Sequence, residues 1–278
     1  MKSIYKIIIL LALVNFTTIH AQQDPNYTMY IYNMNLINPA YAGANETTDL
    51  GINIRSQWSN VKGAPETQSF IFGTPVGKNL GLGLSVISDK TFTEKHDLYF
   101  GLKAGFNSYN ANTDGLVTYG IQQDPNLMSL NGRFNPNFGT GVYLKHEYYF
   151  VSLSIPKILS PDRLDENDGV ATTGADRKHM YLATGYNIVI NKNTILKPSV
   201  MLRYVDSSPL SIDITALLDF NEIFDFGAAY RVDESVSGLA IFKVAKTMQI
   251  GYAYEASLKN SVRSLNNGTH EIMLNLKL

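Results

Sequence analysis

Few residue groups in this chain could do chemistry, and their spacing argues against it. Ser154 and Lys157 have the S-x-x-K spacing in which a lysine assists a nucleophilic serine. They fall across the end of an alternating segment with Pro156 between them, the setting of a strand terminus and not of a catalytic turn. His96, His146, His179 and His270 are scattered without the short spacings of a metal site and read as turn or rim residues. The run DRLDENDG crowds Asp162, Asp165, Glu166 and Asp168, whose carboxylates would suit calcium. Their spacing is not that of an EF-hand, and they read as a solvated loop. GLGLS at 81–85 lacks the lysine of a phosphate loop; its glycines suit a strand approached by bulky interior groups. No catalytic, cofactor-binding or metal residue is assigned, no cofactor is expected, and the chain is not read as an enzyme.

The segments carrying these residues begin with an export signal. Lys2 and Lys6 form a basic start, residues 7–14 an apolar run too short to span a bilayer, and Ala21 a small cleavage residue. Residues 1–21 are therefore expected to be a secretory signal peptide. Losing Lys2 and Lys6 leaves 21 basic against 24 acidic residues, a net charge of −3, which argues against nucleic acid as a partner. The chain has no cysteine, so an exported fold must hold by packing and hydrogen bonds alone. Its 17 tyrosines suit a membrane–water interface.

From about residue 48 the sequence alternates with period two, the mark of strands. In TILKPSVMLRYV, Leu196, Pro198, Val200, Leu202 and Tyr204 share one face and Lys197, Ser199, Met201 and Arg203 the other. In LSIDITALLDF, Ile212, Ile214, Ala216, Leu218 and Phe220 oppose Ser211, Asp213, Thr215 and Asp219. A soluble sandwich would turn the apolar face inward, and an outer-membrane barrel would turn it to lipid. Three features favour the barrel. Aromatics stand at strand ends (Trp58, Tyr204, Phe220, Tyr254), polar faces mix charge with glycine (Asp225, Gly227, Arg231), and many segments have the length a tilted strand needs to cross lipid.

Thirteen strand candidates emerge: 48–58, 67–76, 80–90, 96–111, 136–147, 148–159, 177–190, 194–206, 210–220, 223–233, 236–245, 247–257 and 268–278. Short and long connections alternate between them, as periplasmic turns and outer loops do. The alternation fails once, near 90–96, where TFTEK alone joins two segments. The chain thus reads as an antiparallel plan of about fourteen strands with one missing there. The expected organisation is a signal peptide at 1–21, an N-terminal plug or periplasmic segment at 22–47, and a transmembrane β-barrel at 48–278.

An ordered set of segments then resembles the PorP/SprF family of Bacteroidetes outer-membrane proteins, tied to type IX secretion and gliding. The matching segments begin with QQDPNYTMYIYNMNLINPAYAG, RSQW, GAPETQSF and GLGLSVISDK. LYFGLKAGFNSYNA, RFNPNFGTGVYL, LKPSVMLRY, IGYAYEASL and GTHEIML follow, collinear over the chain beyond the signal. The family usually has one more strand between the GLGLSV and GLKAGF segments. The resemblance implies an outer-membrane barrel that binds or anchors secreted surface proteins, such as an adhesin's C-terminal domain. It also implies links to secretion or gliding components. The alternative is a barrel transporting a small apolar solute. Expected partners are a secreted surface protein, the secretion or gliding machinery and the lipid bilayer. Arg133, Phe134 and Asn135, a cation and an aromatic at a loop base, are the candidate partner-binding cluster. Asn38, Pro39 and Gly43 are expected to fix a turn between the N-terminal segment and the first strand.

Overall fold

In a computed structural model, the chain is described over residues 26–42, 44, 47–61, 64, 66–75, 81–82, 90–93, 96–111, 130–159, 162–167, 170–175, 177–206, 208–245, 247–259 and 266–278. The strands are β1 (Asp49–Ser56), β2 (Glu66–Pro75), β3 (Gly81–Leu82), β4 (Lys90–Thr93), β5 (His96–Ala111) and β6 (Leu130–His146). They continue with β7 (Tyr149–Ile155), β8 (Asp162–Asn167), β9 (Val170–Ala175), β10 (His179–Tyr186), β11 (Ile188–Asn191) and β12 (Thr194–Val205). The last are β13 (Ser211–Phe220), β14 (Phe224–Arg231), β15 (Ser235–Ala245), β16 (Met248–Ser257) and β17 (Thr269–Lys277). One antiparallel sheet runs β3-β2-β1-β17-β16-β15-β14-β13-β12-β10-β7-β6-β5-β4, with β11 added on β12. The first and last strands of the barrel, β1 and β17, pair over their full length. Thr48 and Leu278 extend that pairing by exchanging backbone hydrogen bonds of 3.0 and 2.8 Å. The two ends of the strand order, β3 and β4, are consecutive in the chain, and their connection, 83–89, lies outside the described residues.

The outward face is the apolar one. Phe220 is 50% exposed and Tyr252 44%, whereas Arg203 and Asp219 are only 5% and 4% exposed. Phe70, Leu182, Ile214, Ile250 and Ile272 stand on the same outer surface. A monomer in water rarely shows so continuous an apolar surface; against lipid it is the required one. Among the described residues no helix is long and apolar enough to cross a membrane.

Local chemistry explains several boundaries. The segment 177–190, expected as one strand, divides into β10 and β11. The ladder to β12 runs from His179↔Val205 to Gly185↔Ser199 and resumes at Ile188↔Leu196. Pro198 falls in the gap and has no N–H to donate, which removes a rung there. At the β13–β14 turn, Asn221 and Glu222 both have φ of 56°, the paired positive values of a type I′ hairpin. Asp219 supports that turn by accepting from the Glu222 backbone N–H at 3.0 Å.

Two regions depart from the expected layout. The place near 90–96 where a strand should be missing holds a short one, β4, paired with β5. Among the described residues fourteen strands follow one another along the sheet, β3 described over 2 residues and β4 over 4. The run DRLDENDG, expected as a solvated loop, contains β8, which pairs with β9 in a separate two-stranded sheet. Its side chains lie outside what is described.

The lipid-facing assignment makes a direct demand. Ile214→Arg, near the middle of β13, should cost about 2–4 kcal/mol of folding stability in vesicles, read by urea titration, because it places a charge in hydrocarbon.

Candidate functional site

The barrel interior is occupied by residues 26–42 and 44, here called the strap. The strap contains a one-turn helix, Met34–Ile37, and a 3₁₀ turn, Pro39–Tyr41. Locally the turn is set by two neighbours. Pro39 supplies a fixed φ at its first position, and the Asn38 side-chain oxygen caps it by accepting from Ala40 N–H at 2.9 Å. The Asn38 amide nitrogen is left to donate to the Val142 carbonyl at 3.0 Å and to Ser152 Oγ at 2.8 Å, tying the turn to β6 and β7. The Asn38–Pro39 turn therefore lies inside the lumen, well ahead of β1; Gly43 is outside the described residues.

Close approach depends on glycine in the wall. A Cβ on Gly101 would overlap the Pro39–Ala40 backbone, and one on Gly141 would overlap the Asn38 side chain. Met34, Ile37 and Ala40 then pack with Tyr143, Tyr181 and Met201. Met29 packs separately with Leu217, Ile241 and Met273.

Polar groups hold the strap at both ends. At the long-loop end, the Glu271 carboxylate accepts from two consecutive strap N–H groups, Thr28 at 2.8 Å and Met29 at 3.2 Å. It also accepts from Asn53 Nδ2 at 2.9 Å and pairs with Arg55 at 3.2 Å. Arg55 reaches Glu255 at 3.2 Å, which bonds Arg231 at 3.2 Å, and Arg231 pairs with Asp213 at 2.6 Å. Thr28 Oγ1 donates into the same network at Glu255, 3.2 Å away. At the short-turn end, Lys243 bridges Asp219 and Asp225 at 2.7 Å each, and Lys197 pairs with Asp219 at 2.6 Å. The Tyr32 hydroxyl donates to Asp225, and Asn275 donates to the Tyr32 carbonyl at 2.9 Å. Midway, the Tyr30 hydroxyl donates to Ser199 Oγ at 3.0 Å.

Burial pushes the Tyr30 hydroxyl above its ordinary value. Burial also pushes Tyr32 up, with the negative charge of Asp225 adding to it.

The residues that suggested chemistry are committed to structure. Ser154 is buried and its Oγ donates to the Ile37 carbonyl at 2.6 Å, so its hydroxyl is spent on the strap. His179, expected at a rim, is buried on the inward face of β10, 3.3 Å from the Tyr181 hydroxyl. His270 lies 2.7 Å from the Tyr252 hydroxyl on the outside, and His146 stacks on Tyr149 at a turn. Among the described residues no cluster of His, Asp or Glu could hold a metal ion. Arg133, Phe134 and Asn135 lie within β6, opposite Tyr109, Ser108 and Asn107 of β5, and not at a loop base. That stretch of the β5–β6 hairpin extends beyond the pairing with β7, which ends at Thr140↔Ile155. The residues missed by pattern reading are Glu271, Glu255 and Arg55, polar in type but with no mark of their partners in the sequence; Asn38 was singled out for its turn, and its bonds to β6 and β7 were not.

Comparison with known proteins follows this geometry. A family model described as type IX secretion system membrane protein PorP/SprF matches residues 19–93 and 90–276. Among curated proteins, none matches. Among solved structures, the chain is similar to the toluene transporter TbuX of Ralstonia pickettii, with 13% identity, 87% of this chain and 92% of that one covered, and a TM-score of 0.47. It is also similar to the outer membrane protein Omp33 of Acinetobacter baumannii, with 10% identity, 84% and 97% covered, and a TM-score of 0.38. These superpositions are loose, and the family match is what places the chain.

Three outcomes follow from the interior. Glu271→Ala removes one of the two carboxylates that Arg55 pairs with and leaves two strap N–H groups unsatisfied, at a cost of about 1–3 kcal/mol for each buried group left without its partner. Its readout is limited proteolysis: the strap is cut faster while the barrel band survives. Gly101→Val should expose the strap in the same assay by displacing its turn. For Tyr30 and Tyr32 the raised values mean that the folded state favours the neutral phenol. Their contribution is fully present below about pH 10 and is lost as pH rises through the raised values. An absorbance titration should count about two fewer tyrosinates near pH 11 in the native protein than in the denatured one.

Proposed function

The chain belongs to the PorP/SprF family of type IX secretion system membrane proteins, and from that premise we propose that it works by binding, as an anchor for secreted surface proteins. As a type IX secretion membrane protein that crosses lipid with strands, it resides in the outer membrane. The observation that carries the proposal is the occupied lumen. Residues 26–42 and 44 run through it and are tied by Glu271, Asn38 and Asp225, so recognition falls to the surfaces at the two ends. The segment 22–47 acts as a plug in this reading. A small apolar solute would have to pass the tied strap along a wall lined by charged groups such as Lys243, Asp219, Arg231 and Asp213, which weighs against the transport alternative.

At the outer end the β5–β6 hairpin is the natural recognition element, because its paired backbone continues past the end of the β6–β7 pairing and carries the connection between them. Arg133, Phe134 and Asn135 sit on that projection. The partner is a secreted protein or its C-terminal domain, with secretion or gliding components engaging the periplasmic end.

The test is recovery of partners from outer membranes with a tagged protein. A large secreted protein should copurify, and a barrel recovered with lipid alone would defeat the anchoring reading. The triple change Arg133→Ala, Phe134→Ala, Asn135→Ala should reduce that recovery without changing barrel abundance. One central anchor among them would account for about 2 kcal/mol, roughly thirtyfold in Kd.

A further inference from the structure

The strap has a direction, and the wall residues it touches give it. Thr28 and Met29 meet Glu271, the third residue of β17 counted from the long loop that precedes it. Thr28 also meets Arg55, next to last in β1 before the loop at 57–65. With its amide oxygen turned toward them, Asn26 accepts from Arg231, the last residue of β14, at 2.8 Å and from Arg203, near the end of β12, at 3.2 Å. Further along the strap the partners change ends. Tyr32 bonds Asp225, the second residue of β14 after the tight turn at 221–223. The Ala44 carbonyl accepts from Lys145, next to last in β6 before the tight turn at 147–148, at 2.7 Å. Tight turns of outer-membrane barrels face the periplasm and long loops the outside.

We propose that the strap is threaded from the cell-surface side: its first described residues, 26–28, lie at the outer end of the lumen against the buried Arg203 and Arg231, and the chain runs down the lumen to reach β1 at the periplasmic rim. Most of the polypeptide then starts on the periplasmic side, while its first described residues face the exterior. The buried carboxylate–guanidinium network of Glu255, Glu271, Arg55 and Arg231 is therefore the outer fastening of the strap. This rests on the orientation of the barrel and not on the anchoring proposal.

The chain has no cysteine, so single cysteines can be read without background. Asn26→Cys should react with a membrane-impermeant maleimide on intact cells as fully as on permeabilised ones, in preparations whose periplasmic proteins stay unlabelled. Lys192→Cys, in the exposed turn between β11 and β12, should react only after permeabilisation. A short epitope inserted between Pro25 and Asn26 gives a second reading that does not depend on thiol exposure, and it should bind antibody on intact cells. Heat-modifiable migration on gels verifies that each variant is folded. If neither Asn26→Cys nor the epitope is reached on intact cells, the threading is wrong. If Lys192→Cys is the one labelled on intact cells, the orientation is reversed and the proposal falls with it. Partner recovery with the unmodified chain is unaffected by either result.

Discussion

Hydrocarbon offers no hydrogen bonds. Every backbone N–H and C=O at bilayer depth must find its partner within the protein, and this constraint dictates the rest of the molecule. It forces neighbouring strands into register, brings the last strand back to the first, and turns Phe220, Tyr252 and Ile272 outward. The same alternation that satisfies lipid on one side delivers Asp213, Asp219, Asp225, Glu271, Arg203 and Arg231 to the other. An interior so charged cannot be left dry and unpaired, since each isolated buried charge would cost several kcal/mol. The strap is part of the answer. It brings its own N–H groups, hydroxyls and amide to carboxylates and carbonyls that the wall does not satisfy alone.

Buried ion pairs of this kind add little net stability, because desolvation offsets most of the attraction. What they add is specificity of position. Glu271 accepts from two successive backbone N–H groups and a guanidinium at once, which fixes where the strap backbone lies against β17, while side-chain bonds such as Thr28 Oγ1 to Glu255 fix its register. Asn38 works similarly at the other wall, with its oxygen committed to the 3₁₀ turn and its nitrogen to β6 and β7. Between these polar anchors, Gly101 and Gly141 let the strap backbone approach closely enough for van der Waals contact to contribute.

Much of the wall was legible because its signal is local and repeated. Alternation along 194–206 and 210–220 locates β12 and β13 to within a residue or two and assigns their faces correctly. The stub β4 was not legible, since four residues are too few to show a period. β8 and β9 were hidden for a different reason. The carboxylates of DRLDENDG suggested a solvated loop, while Asp168 and Gly169, a strong hairpin pair, lay unread between the two strands. The interior was legible only by type. Inward polarity at Glu271 and Arg55 was visible, but pairing across 216 residues carries no mark in a single sequence. Ser154 shows the hazard: a spacing suggestive of catalysis belongs to a hydroxyl that holds the carbonyl of Ile37.

The seam between β1 and β17 sets a schedule for assembly. Its two halves come from opposite ends of the barrel sequence, so it can zip only after everything between them has been made. Such distant pairing is intrinsically slow. Until then the sheet has two raw edges, a hazard that must be guarded against self-association. The strap touches both halves of this seam, Arg55 of β1 and Glu271 of β17, so the segment that precedes the barrel meets its two ends at one place.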